Sequence, residues 1–349
     1  MSGERTSRNS SIELFRILCL FLIFWMHGAG SFSGGGINAW LAIAADSVGN
    51  IGVSCFILIS GYFGIRWSGK KMIKLDLMLI FYCWIGLAFR LAWGTAGSGE
   101  NILSYLFPVI GKYSWYFTCY FALAALSPFL NEAIERLGQR RLKQLILVML
   151  LIFSGVTTFF FFDITGDSGK GIVQMVMLYL IGRYIRISGM VGRYRAGKLA
   201  AAFAAAAAVN IALNGTLYVV TGTVQNRFAR DNTLFIIAEA VLAFLIFADM
   251  RFENGFVNRI ASYVPAIFIM EWTLRECTIH YLFDYLAWNG SGVYHLILIG
   301  LAVAMVAAGS VIEALRRLLL HVPEEWLAGC LYRFWTGLWK KIETKLPGI

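Results

Sequence analysis

Charge is scarce in this sequence. Acidic and basic residues make up 14% of its 349 positions, where a soluble domain carries about a quarter. Together with 59% hydrophobic residues, that deficit excludes an ordinary water-soluble enzyme of this length. No polar block is long enough to hold a separate soluble domain. Heptads, a glycine-rich phosphate loop and a dinucleotide fingerprint are also missing. The 6 cysteines (Cys19, Cys55, Cys83, Cys119, Cys277 and Cys330) fall in apolar segments without CxxC or Cys/His ligand spacing. That pattern argues against a disulfide framework or a zinc site and for buried, inert thiols.

What the sequence has in quantity is apolar runs near the ~20 residues that a helix needs to cross a bilayer. They predict an all-α, polytopic membrane bundle of about ten transmembrane helices. The expected spans are 12–31, 41–65, 73–95, 102–131, 142–162, 171–188, 199–221, 233–249, 257–286 and 293–315. Residues 1–11 read as a cytoplasmic tail, 12–315 as the membrane domain and 316–349 as a cytoplasmic amphipathic helix anchored by Trp326, Trp335 and Trp339. The first run is too long for a signal peptide, lacks a small-x-small cleavage site and carries Glu13, Arg16 and His27, so it reads as a span. The alanine stretch at 200–208 predicts close helix packing.

The net charge of +10 is a topology signal. Arg66, Lys70, Lys71 and Lys74 follow the second span, and Arg136, Arg140, Arg141 and Lys143 follow the fourth. Arg183, Arg186, Arg193, Arg195 and Lys198 follow the sixth, while the alternate loops hold only Lys112, Lys170, Arg227 and Arg230. The positive-inside rule then places both termini in the cytoplasm of a multi-pass plasma-membrane protein. Its partners include membrane lipid and exclude nucleic acid, and a homo-oligomer is compatible with the sequence.

Arg16 and His27 lie eleven residues apart in the first span. On a helix that spacing brings them to within about 20° of one face, roughly 16 Å apart along the axis. Glu13 sits one turn before Arg16. Ionisable groups in hydrocarbon are functional candidates by default. A Glu13–Arg16 pair at the membrane edge with a wetted His27 explains the same spacing. In the second span, Ser60-Gly61-Tyr62 offers two hydroxyls and a position of close approach, or a simple packing step.

Ser11-Ile12-Glu13-Leu14-Phe15-Arg16, followed after ten residues by His27, resembles the opening of the membrane acyltransferase-3 family. Gly52–Phe63, ending in Ser60-Gly61-Tyr62-Phe63, is similar to the family's second-helix motif. Lys70-Lys71-x-x-Lys74 resembles the basic stretch before its third helix. Trp115-Tyr116-Phe117, Tyr120 and Leu126-Ser127-Pro128-Phe129-Leu130-Asn131 resemble its fourth segment, and Tyr179–Ile185 a further block. The likeness runs in order from residue 11 to about 290.

The resemblance implies transfer of an acyl group, usually acetyl from acetyl-CoA, to a hydroxyl of a cell-envelope glycan or lipid-linked sugar in a bacterium. It implies His27 as general base, with Arg16 binding donor phosphate or developing negative charge beside Glu13. Ser60 and Tyr62 would line the thioester end of a tunnel, and Lys71 and Lys74 would attract the nucleotide at its mouth. Trp115 and Tyr120 would form an acyl or sugar wall. The family's ninth helix carries a histidine in a stretch resembling Tyr-Leu-Ile-His-Glu, and Ala266–Glu271 places Glu271 there. Glu271, Arg275 and Glu239 are therefore candidate acceptor contacts, although Glu271 and Arg275 at i,i+4 also suit a structural brace. A small-molecule transporter is the alternative in another class, against which stands the lack of an inverted repeat.

Overall fold

The computed structural model describes residues 9–95 and 101–345, so the expected tail lies outside it up to residue 8. Among the described residues there is no strand. The helices are α1 (Ser10–Ala29), α2 (Ile37–Gly49), α3 (Ile51–Phe63), α4 (Gly69–Ala92), α5 (Ile102–Leu106), α6 (Trp115–Met149) and α7 (Val156–Phe160). They continue with α8 (Ile172–Ser188), α9 (Ala196–Thr221), α10 (Leu234–Asp249), α11 (Gly255–Ala261), α12 (Val264–Tyr281) and α13 (Tyr294–Lys345).

Among the described residues, six helical stretches are long and apolar enough to cross a membrane, fewer than the ten expected. The difference has local causes. The stretch Trp115–Phe160 joins α6, a π turn and α7 over 46 residues, merging two expected spans. Gly138 inside it has φ 68°, which breaks the helical path between them. α8 and α10 have 17 and 16 residues, just under the usual length for a perpendicular crossing. α12 has 18 residues but is rich in charge. Large apolar side chains such as Leu147, Leu151, Val220, Leu296 and Leu318 stay exposed, as lipid-facing surfaces require.

α1 begins where the Asn9 side chain accepts a hydrogen bond from the Ser11 amide. Ser10 Oγ donates to Asn258 Oδ1 at 2.9 Å and Ser11 Oγ to the Phe247 carbonyl at 2.6 Å, tying this end of α1 to α11 and α10. Cys19, Leu20, Ile23 and Phe24 then carry α1 through the core without exposure. α3 and α8 form the tightest helix pair. Gly61 faces the backbone of Tyr179, and Gly182 faces the backbone of Leu58, with no room for a Cβ at either. The glycine of the Ser-Gly-Tyr motif is thus explained by backbone approach.

Two expectations change at this level. The 200–208 alanines mostly face outwards on α9, with Ala207 buried, so they are not a close-packing seam. Residues 316–345 are not a separate helix either. α13 runs through residue 315 and across Pro323 to Lys345.

A buried ion network anchors α13. Glu313 is fully buried; its Oε2 accepts from Tyr82 Oη at 2.7 Å and Arg316 Nε at 2.7 Å. Its Oε1 accepts from Arg316 Nη2 at 3.1 Å and Arg317 Nε at 2.6 Å. Arg317 also reaches Ser262 in the turn between α11 and α12. Every oxygen lone pair of that carboxylate is used by protein.

Candidate active site

α1 and α12 run in the same direction and carry two groups of residues at two depths. At the upper level, His27 Nδ1 lies 2.8 Å from Glu271 Oε2. Glu271 Oε1 accepts from Arg275 Nε at 3.0 Å, with Nη2 at 2.9 Å. Arg275 Nη2 also donates to the Phe24 carbonyl of α1. Gly28 permits this approach, because a Cβ there would stand 2.9 Å from Arg275 Nη1 and 2.6 Å from Leu298. Tyr294 Oη donates to the Gly28 carbonyl at 2.9 Å and holds the end of α1 from the other side.

The exposures within this group decide its chemistry. The Glu271 and Arg275 side chains are each 7% exposed, whereas that of His27 is 46% exposed. A carboxylate only accepts, so the hydrogen between the pair belongs to Nδ1, and in the neutral form of the ring Nε2 is the basic nitrogen. Arg275 supplies the countercharge that a carboxylate needs at this depth. An oriented imidazole backed by a carboxylate can take a proton from a hydroxyl.

At the lower level, Arg16, Ser60, Tyr116 and Tyr120 line a cavity of about 170 Å³ with Phe56, Leu75, Phe117, Val264 and Phe268. It has room for a slender chain rather than for a nucleotide. Glu13 braces Arg16 at 3.5 Å and does not line the cavity. His27 does not line it either. Phe268 at its upper end stands three residues before Glu271, a rise of about 4.5 Å. The cavity therefore ends roughly one turn below the His27–Glu271 pair.

Two inter-helix loops also come to the His27 end. Asp231, in the turn before α10, is buried, and burial pushes its carboxyl up to about 7 against the opposing influence of Lys170 and His27 nearby. Gly169, at φ +83°, packs directly on Asp231 and Asn232 and brings the loop after α7 to this place. Nothing in the linear sequence links residues 169 and 231 to His27, so they were not among the expected site residues.

Several expected residues are not brought together. Ser60 and Tyr62, two apart on α3, point about 160° away from each other. Ser60 faces the cavity, while Tyr62 stacks under Arg186 at 5.1 Å and accepts from its Nη1 at 3.1 Å. Trp115 packs edge-on against Tyr116 and leaves the wall to Tyr116 and Tyr120. Their i,i+4 spacing was the available signal for Tyr116. Glu239 is fully buried between α9 and α10, accepting from Asn210 Nδ2 at 3.1 Å, and meets neither group. Lys74 pairs with Glu325, as does Lys70, while Lys71 is exposed on another face of α4. Glu271 and Arg275 meet each other and His27.

The sequence matches the family model of an acyltransferase domain over residues 9–314. No curated protein and no solved structure matches it.

Proposed function

The chain belongs to the acyltransferase-3 family of membrane acyltransferases, and from that premise we propose that it moves an acyl group, acetyl first, from acyl-CoA to a hydroxyl of an envelope glycan or lipid-linked sugar. The observation that carries this reading is a half-exposed His27 side chain held at Nδ1 by buried Glu271, which leaves Nε2 free. Nε2 accepts the proton of the acceptor hydroxyl as that oxygen attacks the thioester carbonyl. The C–S bond then breaks, and the departing thiolate recovers the proton from the imidazolium, leaving ester and free CoA. Glu271 stabilises the charged ring that forms between the two steps.

Arg16 stands about 16 Å below His27 along α1, too far to hold the oxyanion of the same carbonyl. It serves the donor's phosphorylated end, with Ser60, Tyr116 and Tyr120 along the slender arm. The donor enters from the cytoplasmic side and the acceptor from the outer side, where Lys170 and Asp231 offer polar partners. In this reading the chain makes ten crossings of a bacterial plasma membrane, with both termini inside. The count takes Trp115–Phe160 as two crossings about Gly138 and adds α8, α10 and α12 to the other long helices.

Purified protein given radiolabelled acetyl-CoA and a glycan acceptor tests the reading. His27→Ala and Arg16→Ala should abolish labelled product while keeping expression and melting behaviour. Acetyl transfer that persists without His27 overturns it. Inverted vesicles test the sidedness, which fails if the acceptor must be supplied from the cytoplasmic face.

A further inference from the structure

α13 runs on past residue 314, where the family match ends, and one face of this extension lies against α4. Tyr332, Trp335 and Trp339 stand at i, i+3 and i+7, so their rings share that face. A Cβ on Gly69 of α4 would stand 3.0 Å from the Tyr332 ring, which marks the contact between the two helices. The three rings, with Trp67 from the turn before α4, line a groove of about 500 Å³, within the ~300–1,000 Å³ of small-molecule sites. Two charged side chains line it as well, Asp76 of α4 and Lys340 of α13. Asp76 Oδ1 is buried and accepts no hydrogen bond. Among the described residues no cation pairs with this carboxylate. A carboxylate so placed costs free energy until a positively charged donor reaches it. The rings are about half exposed, so the groove is open to the membrane.

We propose that this groove holds the headgroup of phosphatidylethanolamine. The primary ammonium of that lipid supplies both the charge and the N–H donors that Asp76 lacks. The Trp and Tyr rings hold the same cation by their faces, and Lys340 takes the phosphodiester. The groove also selects by what it refuses. A choline headgroup stacks on the rings equally well, but its quaternary nitrogen has no N–H for the carboxylate. Phosphatidylglycerol and the nucleotide of an acyl-CoA bring no cation, and the Asp76 charge repels them. With both termini inside, the groove opens at the cytoplasmic surface, where tryptophans sit at headgroup level. The adjoining leaflet then supplies the lipid. No part of this site depends on the acyl-transfer reading.

The test uses the full chain in nanodiscs of phosphatidylcholine. Soluble short-chain phosphatidylethanolamine, phosphatidylcholine and phosphatidylglycerol are titrated separately by calorimetry. The ethanolamine lipid should bind on the order of tenfold more tightly than either of the others. Asp76→Asn keeps the shape, removes the charge and should abolish that preference. Asp76→Glu returns the charge and should restore it, an outcome that misfolding does not produce. Loss of the preference in both variants assigns it to the fold rather than to the charge and overturns the site. Equal binding of the three lipids, tighter binding of phosphatidylglycerol, or a preference that survives Asp76→Asn overturns it too. A second copy of the chain seated in the groove would do the same, and would appear as a particle holding two chains whatever the lipid. His27→Ala should leave the lipid preference intact, so failure of the acyl-transfer reading is seen separately.

Discussion

Glu271 on α12 and Glu313 on α13 look alike in the sequence, each an acidic residue in an apolar run with arginine three or four positions on. The structure makes them opposites. Glu313 spends both oxygens on Tyr82, Arg316 and Arg317. Glu271 gives one oxygen to Arg275 and the other to a ring that is nearly half exposed. A buried Glu–Arg pair is therefore no sign of chemistry in itself. What distinguishes the two is whether the hydrogen-bond chain closes on itself or ends at a group with a free valence.

The contrast can be broken by measurement. The largest effect belongs to His27→Ala, which should cost about 10²–10⁴ in turnover without lowering the melting temperature, read by labelled acetyl transfer on folded protein. Glu271→Gln should come next, slowing turnover on the order of 10²-fold through the loss of charge behind the ring. It also costs stability, because buried Arg275 loses its counterion, whereas Glu313→Gln should cost stability alone. With Arg317 left without its carboxylate and Arg316 left with Glu324 alone, stability should fall by roughly 3–5 kcal/mol, while turnover per folded molecule stays within about twofold. Equal slowing by the Glu271 and Glu313 variants would erase the distinction. Gly61→Ala should lower stability by about 1–3 kcal/mol through overpacking against α8, visible as a reduced thermal midpoint. Tyr62→Phe should be the mildest, leaving the donor KM unchanged to within about twofold, because the ring turns away from the Arg16 cavity; a large rise in KM would put Tyr62 back in the donor path.

Much of the membrane architecture was legible from composition and from the spacing of apolar runs. Both α1 and α4, for example, fall within a few residues of their expected spans. Breaks and joins were not. Asn50 stands between α2 and α3 within the second expected span, and its side chain bonds the Ala229 carbonyl, a partner remote in sequence. The α13 helix passes Pro323 because that stretch docks on α4 through Glu325 and Tyr332.

At the candidate site, the family resemblance offered Ser60, and helical phase placed Arg16 and His27 on one face. It also should have separated Tyr62 from Ser60, since neighbours two apart never share a face. The partnership of His27 with Glu271 spans 244 positions and no local pattern encodes it.

The three-residue step from Phe268 to Glu271 carries a consequence for comparing relatives of this chain. One residue inserted there would swing the carboxylate about 100° around α12 and part it from His27, while the cavity below kept its walls. Base and cavity are coupled only through helical phase on two parallel rods. An alignment that opens a gap between residues 264 and 275 therefore describes a protein without this site, however well its remaining positions agree.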